Sequence, residues 1–234
     1  MDYLKLIRFP NLVIIALIQY LVKWCLIVPF GIPISLGPVD FLLLVCSTVL
    51  VAAGGYAIND YFDMQVDEIN DASKVVVGKS IKRREAIIFH FILSGLGVVL
   101  GFYLAFKAGN INFGLLHLMA AGLLWFYSTQ FKRQFLIGNL VISFLSALVP
   151  LMVPVFLITA NISADNLYTA KIIFYLAAVY GGFAWLTTLM REIIKDLEDL
   201  QGDSSMGFQT LAISWGEKKA KNLLASLLVL TLLG

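Results

Sequence analysis

Long apolar segments are the feature that most constrains how this chain can fold. A helix needs roughly 20 mostly apolar residues to cross a bilayer. Six segments have this character: Leu12–Ile34, Phe41–Ile58, Ala86–Phe106, Ile111–Tyr127, Leu136–Thr159 and Ile172–Met190. Only 14% of the 234 residues are charged, against about 25% in a soluble domain. Because a helix satisfies its own backbone hydrogen bonds in lipid, we predict an all-α, polytopic helical bundle in the lipid bilayer.

A seventh apolar segment begins near Asn222 and reaches Gly234. It is shorter than the roughly 20 residues of a spanning helix, and no polar flank follows it. We therefore expect residues 1–234 to be a single transmembrane domain that is truncated at its C-terminus within the seventh helix.

The lysines and arginines predict an orientation. Of 17 such residues, 14 lie in the N-terminus and in residues 59–85, 128–135 and 191–221. On the other side are Lys107 and Lys171, and Lys23 lies within the first segment. Because cytoplasmic loops carry the excess of positive charge, we predict a protein of the cell inner membrane with its N-terminus and long loops in the cytoplasm. The net charge of +2 gives no case for nucleic acid binding, and no obligate protein partner is evident.

Two acidic clusters follow the second and sixth apolar segments. Twelve of the 15 acids lie in residues 59–85 and 191–221, while residues 128–135 contain none. Both clusters space their aspartates at i, i+3 and i+7, which in a helix places them on one face. The two trios are Asp60, Asp63 and Asp67, and Asp196, Asp199 and Asp203.

Three carboxylates on one helical face repel one another unless a cation neutralises them. Oxygen ligands without histidine or cysteine favour Mg²⁺ or Ca²⁺ over Zn²⁺, and Mg²⁺ commonly joins one or two carboxylates to substrate phosphates. We therefore predict that the six aspartates bind Mg²⁺ and, through it, a diphosphate. The clusters lie where apolar segments end, so a substrate with a diphosphate head and a hydrocarbon tail fits them.

Several polar residues near the clusters are candidates for binding substrate. Lys74 follows the first cluster, and Arg191 and Lys195 interleave with the second, where a cation complements diphosphate oxygens. Lys132 and Arg133 are candidates for binding an anionic acceptor. They follow a Tyr127-Ser128 pair.

These motifs resemble the UbiA superfamily of intramembrane prenyltransferases. The family motif N-D-x-x-D-x-x-x-D matches residues 59–67, the second Asp-rich stretch matches residues 196–203, and the resemblance continues through residues 207–211. Residues 191–203 and 127–139 are similar to the geranylgeranylglycerol-phosphate geranylgeranyltransferase branch. One departure is Lys74-Val75-Val76-Val77-Gly78, which stands where many members have an Arg-Pro element. The family fold has nine helices, of which about seven would be present in this chain.

The resemblance implies a Mg²⁺-dependent enzyme that transfers a prenyl group, geranylgeranyl in this branch, from prenyl diphosphate to a membrane-associated acceptor. That acceptor would be geranylgeranylglycerol phosphate, in ether-lipid biosynthesis. The implied catalytic residues are the six aspartates and Asn59, which would orient a carboxylate or a metal-bound water. The implied substrate-binding residues are Lys74, Tyr127, Ser128, Lys132, Arg133, Arg191 and Lys195.

Two alternatives stay open at this point. One is prenylation of an aromatic acceptor, 4-hydroxybenzoate or dihydroxynaphthoate, in quinone biosynthesis. The other is a membrane transporter or cation-binding protein. Transporters place ionisable groups near the bilayer midplane, whereas here Lys23 is almost the only charge within a span. This favours an enzyme.

Overall fold

The computed structural model describes residues 1–73 and 75–233, which fold into a bundle of helices. Six helical stretches are long and apolar enough to cross a membrane: Phe9–Phe30, Pro38–Asp71, Arg83–Lys107, Ile111–Thr129, Ile137–Asn161 and Leu167–Glu198. The prediction of an all-α bundle with six spans is thus confirmed. The α-helices are α1 (Asp2–Leu6), α2 (Phe9–Leu21), α3 (Pro38–Asp71), α4 (Arg83–Lys107), α5 (Gly114–Thr129), α6 (Ile137–Ile158), α7 (Leu167–Glu198), α8 (Leu200–Ser205), α9 (Leu211–Trp215) and α10 (Glu217–Leu233).

Two helices extend well beyond the apolar segments that predicted them. The second apolar segment ends at Ile58, but α3 continues to Asp71; the sixth ends at Met190, but α7 continues to Glu198. Apolar residues mark the part of a helix that lies in lipid. They do not show where the backbone hydrogen bonds of the helix end. The first acidic cluster and Asp196 of the second therefore lie on helical extensions, at the same end of the bundle.

The second cluster departs from the single helical face expected for it. The chain bends at Asp199, where α7 has ended, and Asp203 belongs to the next helix, α8. The expectation of one continuous face is therefore wrong for Asp196, Asp199 and Asp203, although it holds for the first trio on α3. The bend turns α8 back towards α3.

Small residues allow α3 and α4 to approach closely, as is common in membrane helix pairs. A Cβ atom added to Gly97 would lie 2.8 Å from the backbone oxygen of Ser47, and one added to Gly54 would lie 2.2 Å from Ser94 Oγ. Neither glycine can therefore gain a side chain without moving a helix or its neighbour.

The main hydrophobic core lies at the end of the bundle opposite to the acidic clusters. It includes Phe41, Leu104, Phe156 and Ile173, each at most 1% exposed. Lys107 Nζ forms an ion pair with Asp40 Oδ1 at 2.9 Å at this end. The bundle is thus tightly packed at one end, and the acidic cleft described below lies at the other.

The seventh apolar segment forms α10, which begins at Glu217 rather than near Asn222. It packs on α7, where Ala220 joins Leu189 and Ile193 in a small buried cluster. Gly234 lies outside the described residues, as does Lys74.

Candidate active site

A cleft lined with carboxylates, here called the acidic cleft, lies between the ends of α3 and α7. Its volume is about 30 Å³, and a water molecule needs about 10–15 Å³, so an occupant of ionic size fits. Lys132 and Lys195 also line it. Its acids are Asp63, Asp67, Glu192, Asp196, Asp199 and Asp203. The fold thus brings together five of the six predicted aspartates.

The aspartates of the first cluster are held by cations and an amide. Asp60 lies beside the cleft, where its Oδ1 accepts a hydrogen bond from Arg8 Nη2 at 3.1 Å. Asp63 Oδ2 accepts one from Asn59 Nδ2 at 2.6 Å, and the ammonium group of Lys132 forms an ion pair with Asp63. Asn59 thus orients a carboxylate.

Arg8 was not predicted as a site residue. It has a left-handed backbone (φ 49°) between α1 and α2, and its guanidinium lies 5.0 Å from the centre of the Tyr56 ring. In the sequence it is indistinguishable from the other topology-setting cations.

Two asparagines orient the second cluster, and neither was predicted. Asn139 Nδ2 donates to Asp196 Oδ2 at 2.9 Å, and Asn70 Nδ2 donates to Asp199 Oδ1 at 3.3 Å. The amide groups carry no charge, so no charge pattern could have revealed them. They join α6 to Asp196, near the end of α7, and α3 to Asp199, which directly follows α7.

Burial alters the proton affinity of groups at the cleft, among them Asp203 and Lys132. It raises the pKa of Asp203 to about 6, with Asp199 adding to the effect. It lowers the pKa of Lys132 to about 7, with Lys195 and Arg133 acting in the same direction, while the carboxylates of Asp203 and Asp60 oppose this change. An added cation would stabilise the charged form of Asp203, and an added anion would stabilise the charged form of Lys132.

The remaining predicted residues are not all brought to the cleft. The Arg133 guanidinium lies over the Phe208 ring, 5.1 Å from its centre, and lines neither the cleft nor the cavity described next. Ser128 donates to the backbone oxygen of Leu124 at 3.0 Å within α5, so its hydroxyl is used in the helix. Lys74 is not described, and Arg191 lines the cavity.

A second, largely apolar cavity of about 430 Å³ adjoins the acidic cleft. It runs between α2, α3, α5, α6 and α7, from Asn59 near the cleft to Thr48, His117 and Met152. Since α5 carries Tyr127 near the cleft and His117 ten residues earlier, the cavity is about 15 Å deep at 1.5 Å per residue. Tyr127, Glu192 and Lys195 line both spaces.

The residues at the cleft suit a hard cation. The side-chain oxygens that line it come chiefly from carboxylates, with no histidine or cysteine among them, and this is the donor set that Mg²⁺ and Ca²⁺ take. Among residues 1–73 and 75–233, no three such side chains already converge as a ready-made metal site. Two of the aspartates are instead paired with Arg8 and Lys132.

Known proteins are similar to this chain in sequence and in fold. Digeranylgeranylglyceryl phosphate synthase of Methanothermobacter thermautotrophicus is 32% identical over 83% of this chain. A solved structure of digeranylgeranylglyceryl phosphate synthase matches 99% of this chain and 74% of its own, with 30% identity and a TM-score of 0.64. A UbiA homologue from Archaeoglobus fulgidus, bound to GPP and Mg²⁺, matches 100% of this chain and 76% of its own with a TM-score of 0.62; at 20% identity it shows the fold alone.

The chain is shorter than these relatives. It spans 63% of the length of the Methanothermobacter protein, and 61% and 53% of two further synthases of the same name from Methanosphaera stadtmanae and Methanosarcina mazei. The UbiA prenyltransferase family matches residues 17–234, which is nearly the whole chain. With its two aspartate motifs brought together at the mouth of a membrane helical bundle, the chain belongs to the UbiA prenyltransferase family.

Proposed function

We propose that this protein is a Mg²⁺-dependent prenyltransferase that moves a geranylgeranyl group from its diphosphate to a hydroxyl of geranylgeranylglycerol phosphate. The observation that carries the proposal is the junction of the acidic cleft with the apolar cavity, at Tyr127, Glu192 and Lys195. A donor with an anionic head and a long apolar tail matches the polarity of the two spaces. The names of the relatives, and the GPP and Mg²⁺ bound to the Archaeoglobus homologue, support the same substrate class.

The aspartates are the proposed Mg²⁺ ligands. Asp63, Asp67, Asp196, Asp199 and Asp203 would hold the ions in the cleft, and Asp60 would complete the ligand set from beside it. When bound, Mg²⁺ would neutralise the diphosphate and stabilise the charge that develops on it as it departs. The amides of Asn59 and Asn139 fix the carboxylates of Asp63 and Asp196. These ligands are therefore partly ordered before substrate binds, and less conformational entropy is lost on binding.

The chain's own cations would contact the donor's diphosphate. Lys132 and Lys195 line the cleft, and Arg8 and Arg191 line the adjoining cavity. Preorganised cations stabilise a departing diphosphate most strongly where water is excluded, and the apolar walls of the cavity exclude it from the prenyl tail. The binding of diphosphate by Lys74 stays a prediction. The binding of the acceptor phosphate by Lys132 and Arg133 also stays a prediction.

The acidic end of the bundle is proposed to face the cytoplasm. The residues that line the cleft come from the N-terminal and long-loop side of the membrane, which carries 14 of the 17 lysines and arginines. The positive-inside rule then places that side in the cytoplasm.

The test is a transfer assay with purified protein in detergent, Mg²⁺ and radiolabelled geranylgeranyl diphosphate. Geranylgeranylglycerol phosphate, 4-hydroxybenzoate and dihydroxynaphthoate are offered in parallel. Transfer to the glycerol phosphate is the expected result. Transfer to an aromatic acceptor alone would show that the proposed acceptor is wrong and that the proposed donor is right. No transfer to any of the three would overturn the proposal.

Two aspartate variants on the same helix distinguish a loss of activity at the site from a general loss of folding. Asp60→Ala is expected to abolish turnover. Asp40→Ala is the matched control, because Asp40 lies at the other end of α3 and pairs with Lys107. Near-normal turnover in Asp60→Ala, or equal loss in both variants, would contradict the assigned role.

A further inference from the structure

The junction between the two spaces locates the reacting bond. If the proposed donor binds with its diphosphate in the acidic cleft and its tail in the apolar cavity, the C–O bond that breaks lies between them. The side chains that line both spaces are those of Tyr127, Glu192 and Lys195. This step rests on the function proposed above, but it does not depend on which acceptor is used.

Prenyl transfer requires a proton acceptor at that position. The diphosphate leaves with the electron pair of the broken C–O bond, and a lone pair of the acceptor hydroxyl forms the new bond to carbon. The hydroxyl must then release its proton, and the O–H electron pair stays on oxygen. Attack by an aromatic ring carbon leaves the same requirement, because the ring must lose a proton to become aromatic again.

The chemistry of the three junction residues distinguishes them. An ammonium group such as that of Lys195 has donors only, and a tyrosine hydroxyl, with an ordinary pKa of about 10, stays protonated near neutral pH. Glu192 supplies the one carboxylate among the described residues that line the apolar cavity. Of the junction residues, it alone combines the position with the capacity to accept a proton.

The contacts of Glu192 leave one of its oxygens available. The residue is buried, with 6% of its surface exposed. Its Oε1 accepts a hydrogen bond from Arg191 Nη1 at 2.9 Å, and its Oε2 is 3.4 Å from the hydroxyl of Tyr127. An ordinary O–H···O bond measures about 2.5–3.0 Å, so the contact to Oε2 is long, and this oxygen has capacity for a second, closer donor.

We propose that Glu192 is the catalytic base of the transfer: its Oε2 takes the proton of the acceptor hydroxyl as the new bond forms. Arg191 holds the other carboxylate oxygen, and Tyr127 sets the direction of Oε2. General bases of this kind contribute about 10²–10⁴-fold to a rate. The role differs from that of the aspartates, which act on the diphosphate.

The experiment compares Glu192→Gln with the parent protein in three measurements. These are transfer to the acceptor, binding of geranylgeranyl diphosphate, and positional oxygen-isotope exchange in recovered donor, which reports breakage of the C–O bond. Glutamine has the same shape as glutamate but cannot take the proton. The expected result is transfer reduced by about 10²–10⁴-fold, with donor binding and isotope exchange retained.

A control and two opposing outcomes make the test decisive. Glu198→Gln is the matched control on the same helix, because Glu198 lines neither space, and it is expected to transfer at the parent rate. Transfer within tenfold of the parent in Glu192→Gln would overturn the proposal. Loss of binding and exchange together with transfer would also overturn it, since that pattern indicates a structural role. A parent protein with no exchange and no transfer would instead reject the proposed function.

Glu192→Asp provides the test if the glutamine variant does not accumulate. It keeps the charge but withdraws the carboxylate by one methylene, and a misplacement of about 1 Å can cost up to about 10²-fold. A loss of transfer with donor binding and exchange retained is expected. Unchanged transfer would overturn the proposal.

Discussion

Asn70 Oδ1 accepts a hydrogen bond from the backbone N–H of Gly202 at 2.8 Å. The same side chain donates through Nδ2 to Asp199 Oδ1 at 3.3 Å. One amide at the end of α3, three residues beyond Asp67, is therefore bonded to Asp199 at the bend and to Gly202 in α8 beyond it. This clasp fixes the distance between the two aspartate clusters, and a diphosphate site shared by both clusters depends on that distance.

Gly202→Ala tests the clasp. An added Cβ would lie 2.6 Å from Asn70 Oδ1 and Nδ2, so the amide must move and both hydrogen bonds are lost. Because a 1 Å misplacement can cost about 10²-fold, transfer is expected to fall by about 10- to 10²-fold and the half-saturating Mg²⁺ concentration to rise. The Mg²⁺ dependence of transfer measures this.

Gly182→Ala is the matched control for the clasp, since a Cβ at Gly182 on α7 meets nothing within 4 Å. Asn70→Asp adds a second test. It keeps the acceptor for the Gly202 N–H but sets a negative charge against Asp199. An unchanged Mg²⁺ dependence in both Gly202→Ala and Asn70→Asp would show that the clasp has no part in positioning the clusters.

Gly97 and Gly95 offer a stability test within α4. A Cβ at Gly97 would lie 2.8 Å from the Ser47 backbone oxygen, whereas one at Gly95 would meet nothing within 4 Å. Gly97→Ala is expected to destabilise the bundle by about 1–3 kcal/mol through overpacking. Gly95→Ala is expected to stabilise it by up to about 1 kcal/mol through helix propensity. Thermal unfolding in detergent measures both, and equal midpoints would show that the close approach of α3 and α4 is unimportant.

Lys132 provides a test of diphosphate binding. It lines the acidic cleft and pairs with Asp63, so Lys132→Met removes a cation where the departing diphosphate would lie. Turnover is expected to fall by about 10²–10³-fold, as when one preorganised donor is lost. Steady-state kinetics with varied donor measures the effect. Lys221→Met is the control, because Lys221 pairs with Glu217 on the exposed face of α10. A similar loss of turnover in this control would contradict the assignment of Lys132 to diphosphate binding.

The sequence predicted the features that follow from hydrophobicity and charge. The six spans were found because a bilayer requires apolar length, and Asp63 and Asp196 were found because repeated carboxylates stand out from an apolar background. The ends of α3 and α7 were placed too early, since a helix that leaves the lipid keeps its hydrogen bonds while its composition changes.

The rest of the site depends on partners that are remote in the chain. Asn139 and Asp196 are 57 residues apart, and Asn70 and Asp199 are 129 apart. A neutral amide gives no sign of which carboxylate it will meet until the helices are packed. The bend at Asp199 was missed for a related reason: the i, i+3, i+7 spacing fits a continuous helix equally well, and the clasp to α3 lies outside the local sequence.

His117 forms the far wall of the apolar cavity. Its imidazole is 2% exposed, its Nε2 is 2.8 Å from Ser47 Oγ, and it packs edge-on to Phe156 at 5.6 Å between ring centres. A Cβ at Gly101 would lie 2.5 Å from the ring, so the glycine leaves space for it. The ring is held on three sides, so we expect the tail of the proposed donor, entering at Tyr127, to stop there.

His117→Ala is therefore expected to extend the cavity and to shift donor preference towards longer chains. The ratio of kcat/KM for a five-isoprene donor to that for the four-isoprene donor should rise on the order of tenfold, the scale of discrimination that small apolar groups give. Parallel kinetics with two-, three-, four- and five-isoprene diphosphates measures it. His90→Ala is the matched control, because His90 is equally buried, at 4% exposed, bonds to the Gly54 backbone oxygen at 2.9 Å, and lines neither space. If the two variants change the ratio alike, the shift reflects a loosened bundle rather than a moved wall, and the cavity's far end does not set the chain length.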